Sequence, residues 1–401
     1  METIEILASR LSEVQLEKFY HTIEKATFVR RPNRFILEVE WQGKVVRAHL
    51  PNPGRLWELL FPGVTIYMVK HEGEGLKTDF RVVGIERDGV PIMLDTNYSN
   101  DIAEWLVTTK QIPGWEEFHV VKREHTIGRS RFDLLLENNQ GDPFLVEVKS
   151  CTLFGKEGAM FPDAITERGR KHVLELVEMA QSGMRCGILF LVHWGRASWF
   201  LPDYHTDLAF SQTFLESAPF LDWKAMTLSW DETFTIPKVV GACAYPEEIL
   251  RTECHDAGDY MLVLHLEEAQ QIVIGSMGEV NFKAGYYVYV GSARAHLTKR
   301  IERHKRKRKG MHWHIDYLRQ VTSVVAALPI RASDDLEHAL AKAVSEVADW
   351  YVPHFGSSDC HCQSHLYGFT ENPVHLKNFM DVVEEFRMNR LDERLTKSPK
   401  K

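Results

Sequence analysis

The sequence predicts an α/β multi-domain chain of three units, and three observations carry that reading. Its 401 residues exceed one ordinary core, since domains run to roughly 100–200 residues. Short strands dominate up to about residue 95, strands then alternate with helices to about residue 235, and a second mixed set follows a poorly periodic stretch. With 44% apolar and 26% charged residues the composition is globular, and no run reaches the ~18 uninterrupted apolar residues of a membrane span.

In residues 1–95, "RFILEVEWQGKVVRA" alternates around Gln42-Gly43, as a hairpin with one wet face does. "GVTIYMVK" and "DFRVVGIERDGVPIMLD" add further strands, so a small barrel-like all-β unit is expected. Residues 96–235 read as a helix in "SNDIAEWLVTTK", strands in "RFDLLLE" and "PFLVEVKS", a helix in "DAITERGRKHVLELVEMAQSG" and a core strand in "CGILFLVHW". Residues 236–255 have poor periodicity and are expected to form a linker. Residues 256–385 carry strands at "YMLVLHL", "QQIVIGSM" and "GYYVYVGSA" with helices at "LTKRIERHKRK" and "DDLEHALAKAVSEVA", and 386–401 reads as a frayed tail.

The N-terminal "METIEILASRLSEVQ" is acidic where a secretory leader is basic, and six cysteines in so long a chain do not make a disulfide framework, so a cytoplasmic protein with reduced thiols is expected. Net charge is −8, which excludes a uniformly basic coat. Residues 1–240 carry 27 basic against 34 acidic side chains and residues 241–401 carry 21 against 22, so any polyanion contact must be a local patch.

"FLVEVKSCTLF" raises the central chemical question. Strand alternation puts Glu147 and Lys149 on one face, and the turn "NNQGD" allows Asp133 of "RSRFD" to fold back beside Glu147. Two adjacent carboxylates repel unless a cation lies between them, and Mg²⁺ (or Mn²⁺) suits hard oxygen ligands. The competing reading is an ordinary Glu-Lys ion pair on a solvent-facing strand. Arg129 and Arg131 beside the acid, and Arg168, Arg170, Lys171 and His172 near the start of the following helix, favour a phosphate substrate. Glu124 is a weaker candidate ligand.

Asp133 with Glu147-Val148-Lys149 resembles the PD-(D/E)XK nuclease core. The longer stretches "RRPNRF", "HLPNPGRLWELLFPG", "REHTIGRSRFD", "VEVKSCTLF" and "FPDAITERGRKHVLEL" resemble the sugar fermentation stimulation protein family, SfsA, over about residues 16–235. That resemblance implies an N-terminal OB-like β-barrel, a PD-(D/E)XK nuclease-like α/β domain, DNA binding and a regulatory link to sugar, notably maltose, metabolism. In "HLPNPGRL", His49, Asn52 and Arg55 face either a ligand or a rigid turn that closes the barrel, with Pro53 where the family usually has Thr. Arg30, Arg31 and Arg34 are further candidates for phosphate contact, or solvated surface charges.

In the third unit, eight of the eleven residues from Lys299 to Lys309 are Lys or Arg, a density of like charge that favours a polyanion, with Arg303 and Lys305 among the contacts. Tyr286, Tyr287, Tyr289 and Trp313 are either base-stacking or core residues. "GDYMLVL" and "YVGSARAHLTKR" resemble the two halves of the GIY-YIG nuclease motif, which implies a GIY-YIG-like α+β domain. By that resemblance Tyr260 and Tyr289 activate water, Arg300 steadies phosphate, His304 is an accessory acid or base and Glu337 holds metal. The chain departs from the family in the long separation of the tyrosines and in "DY" for "IY". Cys360, Cys362 and His365 in "SDCHCQSHL" read as a polar loop, with zinc as the alternative and His312 or His314 as its fourth ligand.

Taken together, these residues lead to Mg²⁺-dependent phosphodiester hydrolysis on DNA or RNA, with Asp133 and Glu147 on metal, Lys149 activating water and Arg168 and Lys171 binding phosphate. The alternative is a DNA-binding regulator with degenerate nuclease folds and no turnover.

Overall fold

The computed structural model describes residues 20, 22–71, 78–128, 130–357 and 360–397; Arg129 and the acidic N-terminal segment considered above lie outside them. Two compact units result, residues 1–203 with 209–247 and residues 204–208 with 248–401. No helix among the described residues is long and apolar enough to cross a membrane.

The first unit opens with β1 (Glu24–Asn33), β2 (Ile36–Trp41), β3 (Lys44–His49), β4 (Thr65–Lys70), β5 (Phe80–Arg87) and β6 (Val90–Met93). They form one sheet in the order β3-β2-β1-β4-β5-β6, and a β3–β5 pairing closes five of them into an OB-like barrel. Closure removes the sheet edges that a hairpin array would otherwise leave open.

Helix α1 (Ser99–Thr108) leads into an α/β layer. Its sheet runs in the order β15-β14-β12-β9-β8-β7, from β7 (His119–Ile127), β8 (Ser130–Glu137), β9 (Pro143–Cys151), β12 (Arg185–Val192), β14 (Asp222–Ser229) and β15 (Lys238–Ala242). The short β10 (Leu153–Phe154), β11 (Gly158–Phe161) and β13 (Trp199–Pro202) form a second sheet, and α2 (Glu167–Gln181) and α3 (Leu208–Ser217) complete the layer. Strand β9 is central and buried along most of its length, whereas β8 alternates, with Ser130, Phe132, Leu134 and Leu136 inward. Apolar side chains of the barrel (Leu37, Val39, Ile66) and of the layer (Phe132, Ile188, Phe190) share one core, which is why the two expected domains behave as one unit.

The second unit is an antiparallel sheet in the order β20-β16-β19-β22-β21, built from β16 (Gly258–Leu266), β19 (Gly285–Ala293), β20 (Ser323–Arg331), β21 (Trp350–Tyr351) and β22 (Leu366–Phe369). A separate hairpin, β17 (Gln270–Val273) with β18 (Glu279–Phe282), occupies the long insertion between β16 and β19. Because β16 and β19 still pair directly, Tyr260 lies opposite Gly291 despite that insertion. Any side chain at Gly291 would meet the Tyr260 ring, so the bare backbone is what lets the tyrosine lie flat across the strand. Helices α5 (Leu297–Lys305), α6 (His314–Leu318), α7 (Glu337–Val347), α8 (Lys377–Glu384) and α9 (Arg390–Lys397) complete this GIY-YIG-like α+β domain.

Two expectations change. The stretch 236–255 holds β15 and α4 (Glu247–Glu253) instead of a linker; β15 is an edge strand with mostly exposed side chains, so its sequence lacks an apolar rhythm. The expected tail is helical to Lys397, and Arg390 and Arg394 each lie 2.6 Å from the buried Glu253 carboxylate.

Candidate active site

The β8–β9 ladder ends at Leu134↔Val146, one residue short of Asp133 and Glu147. There the Asp133 carboxylate takes over as acceptor: Val148 N donates to Oδ2 at 2.8 Å and Asn100 Nδ2 to Oδ1 at 3.2 Å. Lys149 Nζ and His172 Nδ1 both lie 2.5 Å from Glu147 Oε1. Glu147 is 4% exposed, and its other oxygen, Oε2, is buried without a hydrogen-bond partner. An orphaned carboxylate oxygen beside a second carboxylate is a donor set for a hard divalent cation.

The two acids differ electrostatically. Burial, with the Glu147 charge next to it, raises the Asp133 carboxyl. Burial pushes Glu147 the same way, but the His172 hydrogen bond and the Lys149 charge outweigh it and hold Glu147 low. Two acids driven apart in this way have the electrostatics of a carboxylate pair with divided roles.

The cleft around them encloses about 580 Å³ and is also lined by Arg34, Asn52, Asp163 and Arg168. Thr166 accepts from Gly169 N at 3.0 Å and caps α2, whose first turns carry Arg168 and, one turn on, the buried His172. On the barrel side Asn52 Oδ1 accepts from Gly54 N at 2.9 Å and Arg31 Nη1 donates to Arg55 O at 2.6 Å, fixing the "HLPNPGRL" loop. A side chain at Gly54 would strike the Asp163 carboxylate. Asp163 Oδ2 is buried without a partner, and burial raises that carboxyl.

Sequence reading did not single out Asn100 or Asp163. Each stood within a quoted motif, but only the fold reveals that the start of α1 and the residue after Pro162 line one cleft. Several expected contacts lie outside it: Arg30 pairs with Glu38, Arg131 with Glu124 and Lys171 with Glu175. Glu124, paired with Arg131, is not among the side chains that line the cleft. The His49 ring stacks on His71, and the Arg55 guanidinium lies 5.0 Å from the Trp57 ring.

In the second unit a cleft of about 400 Å³ is lined by Tyr260, Tyr289, Arg300, His304 and Glu337, so these five candidates do converge. Burial raises the Tyr260 hydroxyl well above its ordinary range and lowers His304 to about 4, leaving a protonated phenol and a neutral imidazole. Glu337 is already engaged, accepting from Ser292 Oγ at 2.5 Å and lying 3.2 Å from His365 Nδ1. Arg303 and Lys305 do not line the cleft: Arg303 bonds Asp316 through both terminal nitrogens, and Lys305 pairs with Glu302. His314 Nδ1 accepts from Gly356 N at 3.1 Å.

The departure "DY" also has a physical reading. Asp259 is fully buried, accepts from Leu336 N at 3.2 Å, and is pushed up by burial to about 7. Folding thus favours its protonated form, and stability declines as pH rises from the usual carboxyl value through about 7. Asp259→Asn is expected to raise the thermal midpoint of the full chain at about pH 8 and to leave it nearly unchanged at about pH 4, measured by calorimetry.

Residues 29–94 match the SfsA N-terminal OB domain, residues 97–222 the sugar fermentation stimulation protein RE domain and residues 259–388 the domain of unknown function DUF123. A sugar fermentation stimulation protein homolog of Methanosphaera stadtmanae is 41% identical over 194 residues, covering 47% of this chain and 80% of that protein. A Clostridium kluyveri homolog is 38% identical over 194 residues, covering 48% and 84%. The solved structure of Pyrococcus furiosus SfsA in complex with Ca²⁺ is similar with a TM-score of 0.52 at 29% identity, over 56% of this chain and 96% of that one. The chain therefore belongs to the sugar fermentation stimulation protein family and adds to it a C-terminal domain of the DUF123 type.

Proposed function

We propose that the first unit is a divalent-metal-dependent nuclease that hydrolyses phosphodiesters in DNA. The observation that carries this reading is the buried, unpartnered Glu147 Oε2 next to Asp133 in a cleft that also has two arginines in its wall. Asp133 and Glu147 would hold Mg²⁺ or Mn²⁺. The chemistry such an ion supplies when bound is polarisation of the phosphate and a more acidic water. Lys149 hydrogen-bonds the attacking water and steadies the charge that develops on the phosphate. Arg168 and Arg34 bind phosphate oxygens, and His172 holds Glu147 in register from the far side. The Pyrococcus furiosus relative was solved with Ca²⁺, which shares the preference of Mg²⁺ for oxygen ligands.

The second unit fits this chemistry less well, since both oxygens of Glu337 are already engaged and Tyr260 is held protonated. Its exposed Lys299, Arg306, Lys307 and Arg308 suit a backbone contact with nucleic acid instead.

The test incubates plasmid, single-stranded DNA and RNA with Mg²⁺ or Mn²⁺ and either wild type or Asp133, Glu147 and Glu337 variants. Cleavage lost in the first two and kept in the third supports the proposal. DNA binding without turnover in the wild type supports the regulator instead. Arg168→Ala is expected to raise KM for DNA about tenfold, from loss of one charge-assisted hydrogen bond, with the metal requirement unchanged.

A further inference from the structure

Residues 360–365, just ahead of β22, and the first turn of α7 bring four soft or borderline ligand atoms together. Cys360 Sγ lies 3.3 Å from His365 Nε2, and Cys362 Sγ lies 3.3 Å from His338 Nδ1. All four side chains offer an atom within 4.8 Å of every other. Two separate thiol–imidazole hydrogen bonds would explain each pair, but not why the pairs meet. A tetrahedral ion with Zn–S near 2.3 Å and Zn–N near 2.0 Å sets its ligand atoms about 3.5 Å apart, close to the spacing found here.

A second observation is independent of that spacing. The His365 ring turns Nε2 toward Cys360 and leaves Nδ1 3.2 Å from Glu337 Oε1. A carboxylate on the far nitrogen is how metal-bound imidazoles are oriented. His365 is buried, and Glu337 is held from its other oxygen by Ser292.

We propose that His338, Cys360, Cys362 and His365 form a zinc site, with Glu337 positioning His365 from behind. Thiolate and imidazole ligands select zinc over Mg²⁺ or Ca²⁺, and four protein ligands leave no open position, so the site is structural. It ties residues 360–365 to α7 and so fixes part of the second cleft, which Cys360, His365 and His338 line together with Tyr260 and Arg300. The fourth ligand is thus His338, not His312 or His314, and the polar-loop reading of "SDCHCQSHL" gives way. Glu337 serves the zinc site instead of holding a catalytic metal alone.

The experiment uses the full chain. Metal content is measured after purification and after stripping and reloading with Zn²⁺, and Co²⁺ is then substituted to read the thiolate-to-metal charge-transfer and tetrahedral ligand-field bands. One equivalent of zinc, the cobalt bands, and protection of Cys360 and Cys362 from alkylation are expected in the wild type and equally in Asp133→Asn. The Cys360→Ser/Cys362→Ser double variant should lose all three, and Glu337→Gln should weaken Zn²⁺ affinity about 10–100-fold. Should the double variant fail to fold, the cobalt spectrum and alkylation map of the wild type decide alone. Wild type that takes up no stoichiometric Zn²⁺, shows no sulfur charge-transfer band with Co²⁺, or leaves both cysteines unprotected overturns the assignment, as does full zinc occupancy in a folded double variant.

Discussion

Asp133→Asn is expected to lower metal-dependent DNA cleavage by at least about 100-fold while leaving the protein no less stable than the wild type. The loss follows from removing one of two carboxylates that would share the ion. Stability should survive because burial and the Glu147 charge raise the Asp133 carboxyl, so its ionised form already costs the fold. An asparagine oxygen can still accept from Val148 N, and Asn100 can rotate its amide to meet the new NH₂ group. Cleavage rates on supercoiled plasmid and urea unfolding of the same preparation check both halves. An inactive variant that is as stable as its parent distinguishes a chemical role from an architectural one.

Asp316→Ala is the variant expected to damage the fold most. Its carboxylate is fully buried and accepts from Arg303 at 3.0 and 3.1 Å, from the backbone N–H groups of His312 and Trp313 at 3.0 and 3.1 Å, and lies 2.7 Å from Lys309 Nζ. Burial alone would raise this carboxyl, but Arg303, Lys309 and the two amides outweigh it and hold it well below the usual range. Removing the acid strands two cations around a desolvated gap, for an expected loss of about 3–5 kcal/mol from the second unit. The pH dependence has a definite sign: the contribution is complete above the ordinary carboxyl value and fades as pH falls below it, because the folded-state value is depressed. Calorimetry of the full chain should show the second unit's transition shifted down in the variant at neutral pH.

Asp316 also shows where local sequence reading stops. The run Lys299–Lys309 looked like a polyanion-binding stripe because charge counts along a helix cannot see an acid several residues beyond it. In the fold Arg303 and Lys309 face inward onto Asp316, Arg300 lines the second cleft, Lys305 pairs with Glu302, and the four left exposed are Lys299, Arg306, Lys307 and Arg308. By contrast the pairing of Asp133 with Glu147 was legible, because strand period and a short turn fix which residues meet across a hairpin. The barrel was legible for the same reason. Residues 204–208 were not: their place in the second unit rests on contacts such as Arg331 N to His205 Nδ1 at 2.9 Å, across more than a hundred positions of chain. His338 was hidden likewise, since a histidine in a helical first turn carries no local mark of the cysteines that the sheet brings to it.

The most direct test of the account is titration of Mg²⁺, and of Ca²⁺ as a non-reacting probe, into the full chain by calorimetry, with cleavage followed under the same conditions. Saturable binding that Asp133→Asn and Glu147→Gln each abolish, with cleavage tracking Mg²⁺ occupancy, is the predicted result. Wild-type cleavage that persists in chelator, or divalent-ion affinity unchanged in both variants, would contradict it.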